Sequence, residues 1–131
     1  MNTLDWLVEI TEAKPFELRE STRFRPRPGQ PAQIQIMGPH SLEVHEIRDL
    51  ALRGVALYLR PDIRAPQVGS RVELILSLPG ERPFLACGVV RHRTHEAGDR
   101  PFLGIEFTVM DSRRREQLRN YLEGGTAQRI N

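Results

Sequence analysis

Apolar residues alternate with polar ones in six short segments of this chain, and this period of two constrains the fold of its 131 residues more than any other feature. Successive side chains of a β-strand face opposite sides of a sheet, so each segment predicts a half-buried strand. Turn-forming pairs such as Gly38-Pro39 and Pro79-Gly80 separate the segments, which recur about every ten residues. The pattern predicts a mainly β fold, a six-stranded antiparallel β-barrel within residues 32–110. The predicted strands are residues 34–36, 42–47, 55–59, 72–78, 85–89 and 103–107.

The period changes near the C-terminal end, where residues 111–123 predict an α-helix. Asp111 or Ser112 can cap its start, and Gly124 ends it. Residues 126–131 are left as a tail. The apolar face of the helix is expected to cover one mouth of the barrel and is formed by Leu118, Tyr121 and Leu122.

Residues 1–18 read as an extension in front of the domain, which spans residues 19–125. Leu4, Leu7 and Val8 have the spacing of one helical face, and Pro15 would end such a helix. The length of the chain is that of one domain with its own core.

Composition excludes several classes of protein. The formal net charge of +2 gives no large field of the kind that marks a nucleic-acid coat, although 18 of the 19 basic residues are Arg and only Lys14 is Lys. A single cysteine, Cys87, excludes a disulfide framework within the chain and is expected to fill the core. No apolar run of about 18 residues exists, so no membrane span is predicted and we expect a cytoplasmic protein.

An arginine-rich segment precedes the first predicted strand. It reads Arg23-Phe24-Arg25-Pro26-Arg27 and lies within residues 19–31, where prolines disfavour a helix or a central strand. We therefore predict a loop or arm. Guanidinium groups bind phosphates through two hydrogen bonds and stack on flat rings, so the arm suits a compact anionic planar ligand. Taken alone, the arm is better explained as a solvated basic linker.

A second segment, Asp49-Leu50-Ala51-Leu52-Arg53-Gly54, lies between two of the predicted strands. Asp49 can begin a turn there, and its carboxylate can accept hydrogen bonds from ring N–H groups. Gly54 allows a backbone or a ligand to approach closely. The two segments together favour a binding site over an active site.

The order and spacing of these segments resemble the PilZ domain, a bacterial receptor module for cyclic di-GMP. Arg23-x-x-x-Arg27 is similar to the RxxxR arm of that family, and Asp49-x-Ala51-x-x-Gly54 is similar to its (D/N)xSxxG turn. The resemblance covers residues 19 to 124. It extends through Val89-Val90-Arg91 and residues 102–107 into the C-terminal helix.

The resemblance implies a PilZ-type barrel that binds cyclic di-GMP and has no cofactor, no metal and no enzymatic activity. Carried over, Arg23 and Arg27 would clamp the ligand, Asp49 would accept from a guanine, and Gly54 would allow close approach. Ala51 stands at the position of the motif serine. Arg25 and Arg53 are auxiliary candidates, and Arg19 is a further one.

Two departures from the family pattern leave an alternative open. Ala51 lacks the serine hydroxyl, whose neutral hydrogen bond is worth about 0.5–1.5 kcal/mol, or roughly 2- to 12-fold in affinity. Thr22 stands where many members carry another Arg. The chain is thus interpreted as a cyclic di-GMP receptor that signals to a protein effector, as a monomer or a ligand-modulated dimer. The alternative is a degenerate member that binds the ligand very weakly or not at all and acts as a protein interaction module.

Two other site types are less favoured. An RNA-binding barrel lacks a stacking platform, since only 6% of the residues are aromatic. His92 and His95, near Glu96 and Asp99, lack the ligand spacing of a metal site and predict a solvated hairpin tip.

Overall fold

The structure is a computed structural model, in which the predicted turn at Pro79-Gly80 is present. The N-terminal extension (1–18) and Arg19 lie outside the described part of the chain. The residues that it describes are 22–27, 29, 32–37, 42–61, 64–94, 100–124 and 127–130.

Within these residues the chain forms nine strands and one helix, which confirms the mainly β class and the C-terminal helix. The count of six strands was too low. The elements are β1 (Arg23–Pro26), β2 (Gln33–Met37), β3 (Leu42–His45), β4 (Ile47–Leu50), β5 (Gly54–Tyr58), β6 (Arg71–Ser77), β7 (Phe84–Thr94), β8 (Phe102–Val109), α1 (Ser112–Glu123) and β9 (Ala127–Ile130).

All nine strands belong to one antiparallel sheet in the order β3-β2-β6-β7-β8-β5-β4-β1-β9. Over the described residues no pairing joins β3 to β9, so this ladder does not close. The central strands β7, β8, β5 and β4 lie side by side and carry most of the site described below.

The core lies on one face of the sheet and under the helix. Its fully buried side chains follow the predicted alternation in strands β2 and β6, as Ile34 and Leu74 illustrate, whereas three successive residues of β5 are buried. The largest of them are Ile34, Leu50, Leu52, Leu57, Leu74, Leu76, Val90, Leu103, Leu118 and Leu122.

Helix α1 confirms the prediction made from its cap and its apolar face. The Asp111 side chain accepts a hydrogen bond from the backbone N–H of Arg114, 2.9 Å away, which satisfies one of the N–H groups left free at a helix start. Its residues Leu118, Tyr121 and Leu122 are buried against the core.

The arginine-rich segment is a strand, so the prediction of a loop was wrong. Residues 23–25 are exposed, buried and exposed in turn, and Phe24 pairs with Leu50 of β4. This alternation is itself that of a half-buried strand. Pro26 is tolerated because it ends β1, where a missing N–H costs the ladder little. On its other side β1 pairs with β9, which forms within the segment that the sequence left as a tail.

The predicted strand over residues 42–47 divides at Glu46. Before this residue β3 pairs with β2, and after it β4 pairs with β5 and β1. The change of partner, and not a change of hydrophobic pattern, separates the two strands, since His45 and Ile47 are both buried.

Cys87 is half-buried and is not a core residue, which corrects the expectation that it fills the core. In β7 the inward positions are taken by Phe84, Ala86 and Val90. Cys87 therefore faces the other side of the sheet with Leu85, which is 63% exposed.

Candidate ligand-binding site

A cleft of about 250 Å³ crosses the outer face of strands β7, β8, β5 and β4. We call it the first cleft. Five of the predicted site residues line it together: Arg23, Asp49, Ala51, Arg53 and Gly54. Its remaining lining residues are Val55, Ala56, Arg91, His92, Gly104, Ile105 and Glu106.

The other half of the arginine arm lies elsewhere. Arg25 and Arg27 line a second cleft, together with residues of β3 and β4 and Tyr58 of β5. Because β1 is held between β4 and β9, Arg23 and Arg27 are separated along an extended strand. The structure therefore does not bring the two arginines of the RxxxR arm into one cleft.

Asp49 is a buried carboxylate at the wall of the first cleft, and its residue is only 4% exposed. Arg48 Nη1 donates a hydrogen bond to Asp49 Oδ2 at 2.7 Å. Arg23 Nη1 lies 3.9 Å from Asp49 Oδ1, which is an ion pair without a hydrogen bond. Burying a carboxylate is tolerated only when it is paired, so these two guanidinium groups account for its position.

Arg48 is a functional neighbour that the sequence reasoning missed. Its guanidinium carbon lies 4.3 Å from the centre of the Phe102 ring, so the same side chain stacks on β8 and holds Asp49. The one feature of the sequence that could have indicated Arg48 is its position next to Asp49. Side chains adjacent in a regular strand point to opposite faces, which is why adjacency alone does not predict the contact.

Gly54 has a structural reason to be glycine. A Cβ at this position would overlap the carbonyl oxygen of Ile105 and lie 3.2 Å from Glu106 Cα. The backbones of β5 and β8 are therefore too close for any larger residue without a shift. The same lack of a side chain opens the floor of the first cleft.

Ala51 and Gly54 close the hairpin between β4 and β5. The backbone N–H of Ala51 donates to the carbonyl of Gly54 at 2.8 Å, and the carbonyl of Arg53 accepts from Phe107 N–H at 2.8 Å. At the tip Leu52 is fully buried and Arg53 is exposed. The turn is anchored on both sides, which places the Ala51 methyl at the rim of the cleft.

The far wall of the first cleft is formed by residues that the motif did not indicate. Arg91 Nε donates to Glu106 Oε1 at 2.6 Å, and His92 lies beside them. The register of β7 and β8 shifts between Val90 and His92, so Arg91 is an extra residue in β7. A bulge of this kind turns a side chain to a new face of the sheet.

The geometry suits a flat, anionic molecule with N–H donors. Asp49 offers carboxylate oxygens for those donors, while Arg23, Arg53 and Arg91 offer guanidinium groups for phosphates. Small residues such as Ala56 and Gly104 keep the floor shallow. Within the described residues, no group of three or more His, Cys, Asp or Glu side chains is arranged to hold a metal ion.

A comparison with protein families decides the assignment. The sequence model of the PilZ domain matches residues 17–124, which is most of the chain. The chain belongs to the PilZ domain family. None of the curated proteins compared with it matches significantly.

Solved PilZ structures share this fold. The PilZ domain of Escherichia coli YcgR with c-di-GMP has a TM-score of 0.64 at 17% identity, over 82% of this chain and 91% of that one. Bacillus subtilis inhibitor of motility (MotI/DgrA) has a TM-score of 0.64 at 20% identity, over 81% of this chain and 50% of that one. The K. pneumonia MrkH–c-di-GMP complex has a TM-score of 0.64 at 18% identity, over 81% of this chain and 51% of that one.

This PilZ chain spans about half the length of MotI and MrkH. At 17–20% identity, the TM-scores of 0.64 show a shared fold. In the part of the chain that the structure describes, no helix has the length and apolar character needed to cross a membrane.

Proposed function

We propose that this PilZ chain is a receptor for cyclic di-GMP that passes the signal to a protein effector. The observation that carries the proposal is the first cleft itself, where buried Asp49 lies beside Arg23, Ala51 and Gly54. PilZ domains are binding and regulatory modules, and the YcgR and MrkH neighbours are described with c-di-GMP.

The two oxygens of Asp49 suggest how a guanine would be held. Oδ2 accepts a hydrogen bond from Arg48 at 2.7 Å, whereas among the described residues Oδ1 is paired only with Arg23, at 3.9 Å. Arg23 is 56% exposed at its side chain and is free to move toward a phosphate. Oδ1 would then accept from the guanine ring N–H while Arg48 keeps the carboxylate in place.

The arm would have to move for Arg27 to join the clamp. Arg27 lines the second cleft in this structure, together with Arg25, and does not line the first cleft. We infer that binding draws the end of β1 toward the ligand, and that this movement is the change an effector detects. The monomer or ligand-modulated dimer and the cytoplasmic location remain predictions.

Titration calorimetry with cyclic di-GMP tests the proposal. Arg23→Ala and Arg27→Ala each remove one charge-assisted contact, worth about 1.5–3 kcal/mol, so we expect affinity to fall roughly 10- to 150-fold. Arg64→Ala is the matched control, since it removes an equal charge from an exposed residue outside both clefts. No heat at high-micromolar ligand would refute the proposal.

The second candidate is a degenerate PilZ module that acts through protein contacts alone. Two observations favour it: Ala51 lacks a hydroxyl at the cleft rim, and Arg27 lies outside the first cleft. Deleting residues 1–18 distinguishes the candidates. If the deletion abolishes self-association or partner binding and leaves the response to cyclic di-GMP unchanged, the second function is supported.

A further inference from the structure

We propose that His92 is an additional ligand-binding residue, whose imidazole ring stacks on a guanine base of cyclic di-GMP. The inference rests on the proposed function of the first cleft. It adds a contact on the wall opposite Asp49, on a strand that carries no part of either sequence motif.

The bulge in β7 is what turns His92 toward the cleft. In a regular strand His92 would share the face of Val90, which is fully buried. The register shift between these two residues inserts Arg91, so His92 emerges on the exposed outer face and lines the cleft. Bulges that re-aim a side chain are frequent beside binding sites.

Two neighbours hold the ring in place before any ligand arrives. A Cβ on Gly104 would overlap His92 Cε1 and lie 2.7 Å from His92 Nδ1, so the imidazole lies directly over the Gly104 backbone. Phe102 contacts it edge to face, with ring centres 6.0 Å apart and an angle of 85°. Phe102 is itself packed under Arg48, the residue that holds Asp49.

A fixed aromatic ring at a cleft wall lowers the entropy lost on binding, because its orientation is already set. Stacking on a base needs only a flat π-face, which the imidazole ring provides. His92 lies on β7 and Asp49 on β4, three strand spacings apart, or about 14 Å across a flat sheet. His92 would therefore contact a different guanine from the one that donates to Asp49.

Calorimetry of two variants tests the stack. His92→Ala removes the ring and should weaken cyclic di-GMP binding about 5- to 150-fold, the usual loss for a base-stacking aromatic. His92→Phe keeps a flat ring over Gly104 and should bind as the unmodified chain does. Thr94→Ala, on the same strand but outside the cleft lining, is the control and should not change affinity.

A measurement on the unmodified chain makes the test independent of any folding defect. Nuclear Overhauser contacts between guanine H8 and the ring protons of His92 are expected in the complex. Binding that is unchanged in His92→Ala, or lost equally in His92→Phe, would overturn the inference and leave the proposed function standing. An unmodified chain that does not bind at all refutes the proposed function itself.

Discussion

Arg48 donates a hydrogen bond to the carboxylate of Asp49, its neighbour in strand β4, at 2.7 Å. Asp49 is buried, and Arg48 also stacks on Phe102. One guanidinium thus joins strand β4, which carries Asp49, to strand β8. Arg48 thus holds the Asp49 carboxylate in place, and its charge is compensated by Arg48 and Arg23 together.

The first prediction concerns that carboxylate. Asp49→Asn keeps the shape of the side chain but replaces a charged acceptor with an amide. We expect cyclic di-GMP affinity to fall roughly 10- to 150-fold, the value of a charge-assisted contact of about 1.5–3 kcal/mol. Calorimetry measures this, and a thermal melt without ligand shows whether the variant is folded. A folded Asp49→Asn chain that binds with unchanged affinity would exclude Asp49 as the guanine acceptor.

The second prediction restores the missing hydroxyl. Ala51→Ser places an oxygen at the cleft rim and should tighten binding about 2- to 12-fold, because one neutral hydrogen bond contributes about 0.5–1.5 kcal/mol. Ala65→Ser is the matched control, since Ala65 is half-buried and lies outside both clefts. Equal affinity of Ala51→Ser and the unmodified chain would show that the turn does not present the hydroxyl to the ligand.

The third prediction separates the structural role of Gly54 from its role at the ligand. Gly54→Ala forces a methyl against the carbonyl of Ile105 and should lower the free energy of unfolding by about 1–3 kcal/mol in the absence of ligand. Urea denaturation measures the change. Gly29→Ala is the control, because a Cβ at Gly29 meets no atom within 4 Å. A Gly54→Ala chain as stable as the control would contradict the close approach of β5 and β8.

The fourth prediction concerns stability at high pH. Burial raises the pKa of Tyr121 above its ordinary value of 10.0, and a hydrogen bond with the backbone of Ala32 lowers it in part. The unfolded chain therefore loses this proton at lower pH than the folded protein does. The contribution of Tyr121 is present below pH 10 and is lost as the pH rises toward the raised pKa of the folded state.

Few other groups obscure this decline, since arginine stays protonated and Lys14 is the only lysine. Denaturation at a series of pH values should show unfolding free energy falling above pH 10, and Tyr121→Phe should flatten the fall. Tyr58→Phe leaves the buried Tyr121 phenol in place and should not flatten the fall. If the unfolding free energy of Tyr121→Phe falls by the same amount above pH 10, another group is responsible for the decline.

The sequence by itself determined the fold class, because a period of two in hydrophobicity forces one face of each strand into the core. Strands β2 and β6 follow directly from this rule, and helix α1 follows from the change of period and from its cap at Asp111. The sequence also indicated Asp49 and Gly54 as site candidates, and both line the first cleft because a short turn brings the strands β4 and β5 together.

Only the tertiary structure decided the features that depend on strand partners. Residues 42–50 divide into two strands at Glu46 because the strands that pair with them change there. Strand β1 forms because Phe24 packs into the core beside Leu50. His92 reaches the cleft through a bulge in β7. The register between strands that are distant in sequence leaves no local pattern in the chain. The sequence therefore indicated the two motifs but not Arg91, His92 and Glu106, which form the far wall of the first cleft.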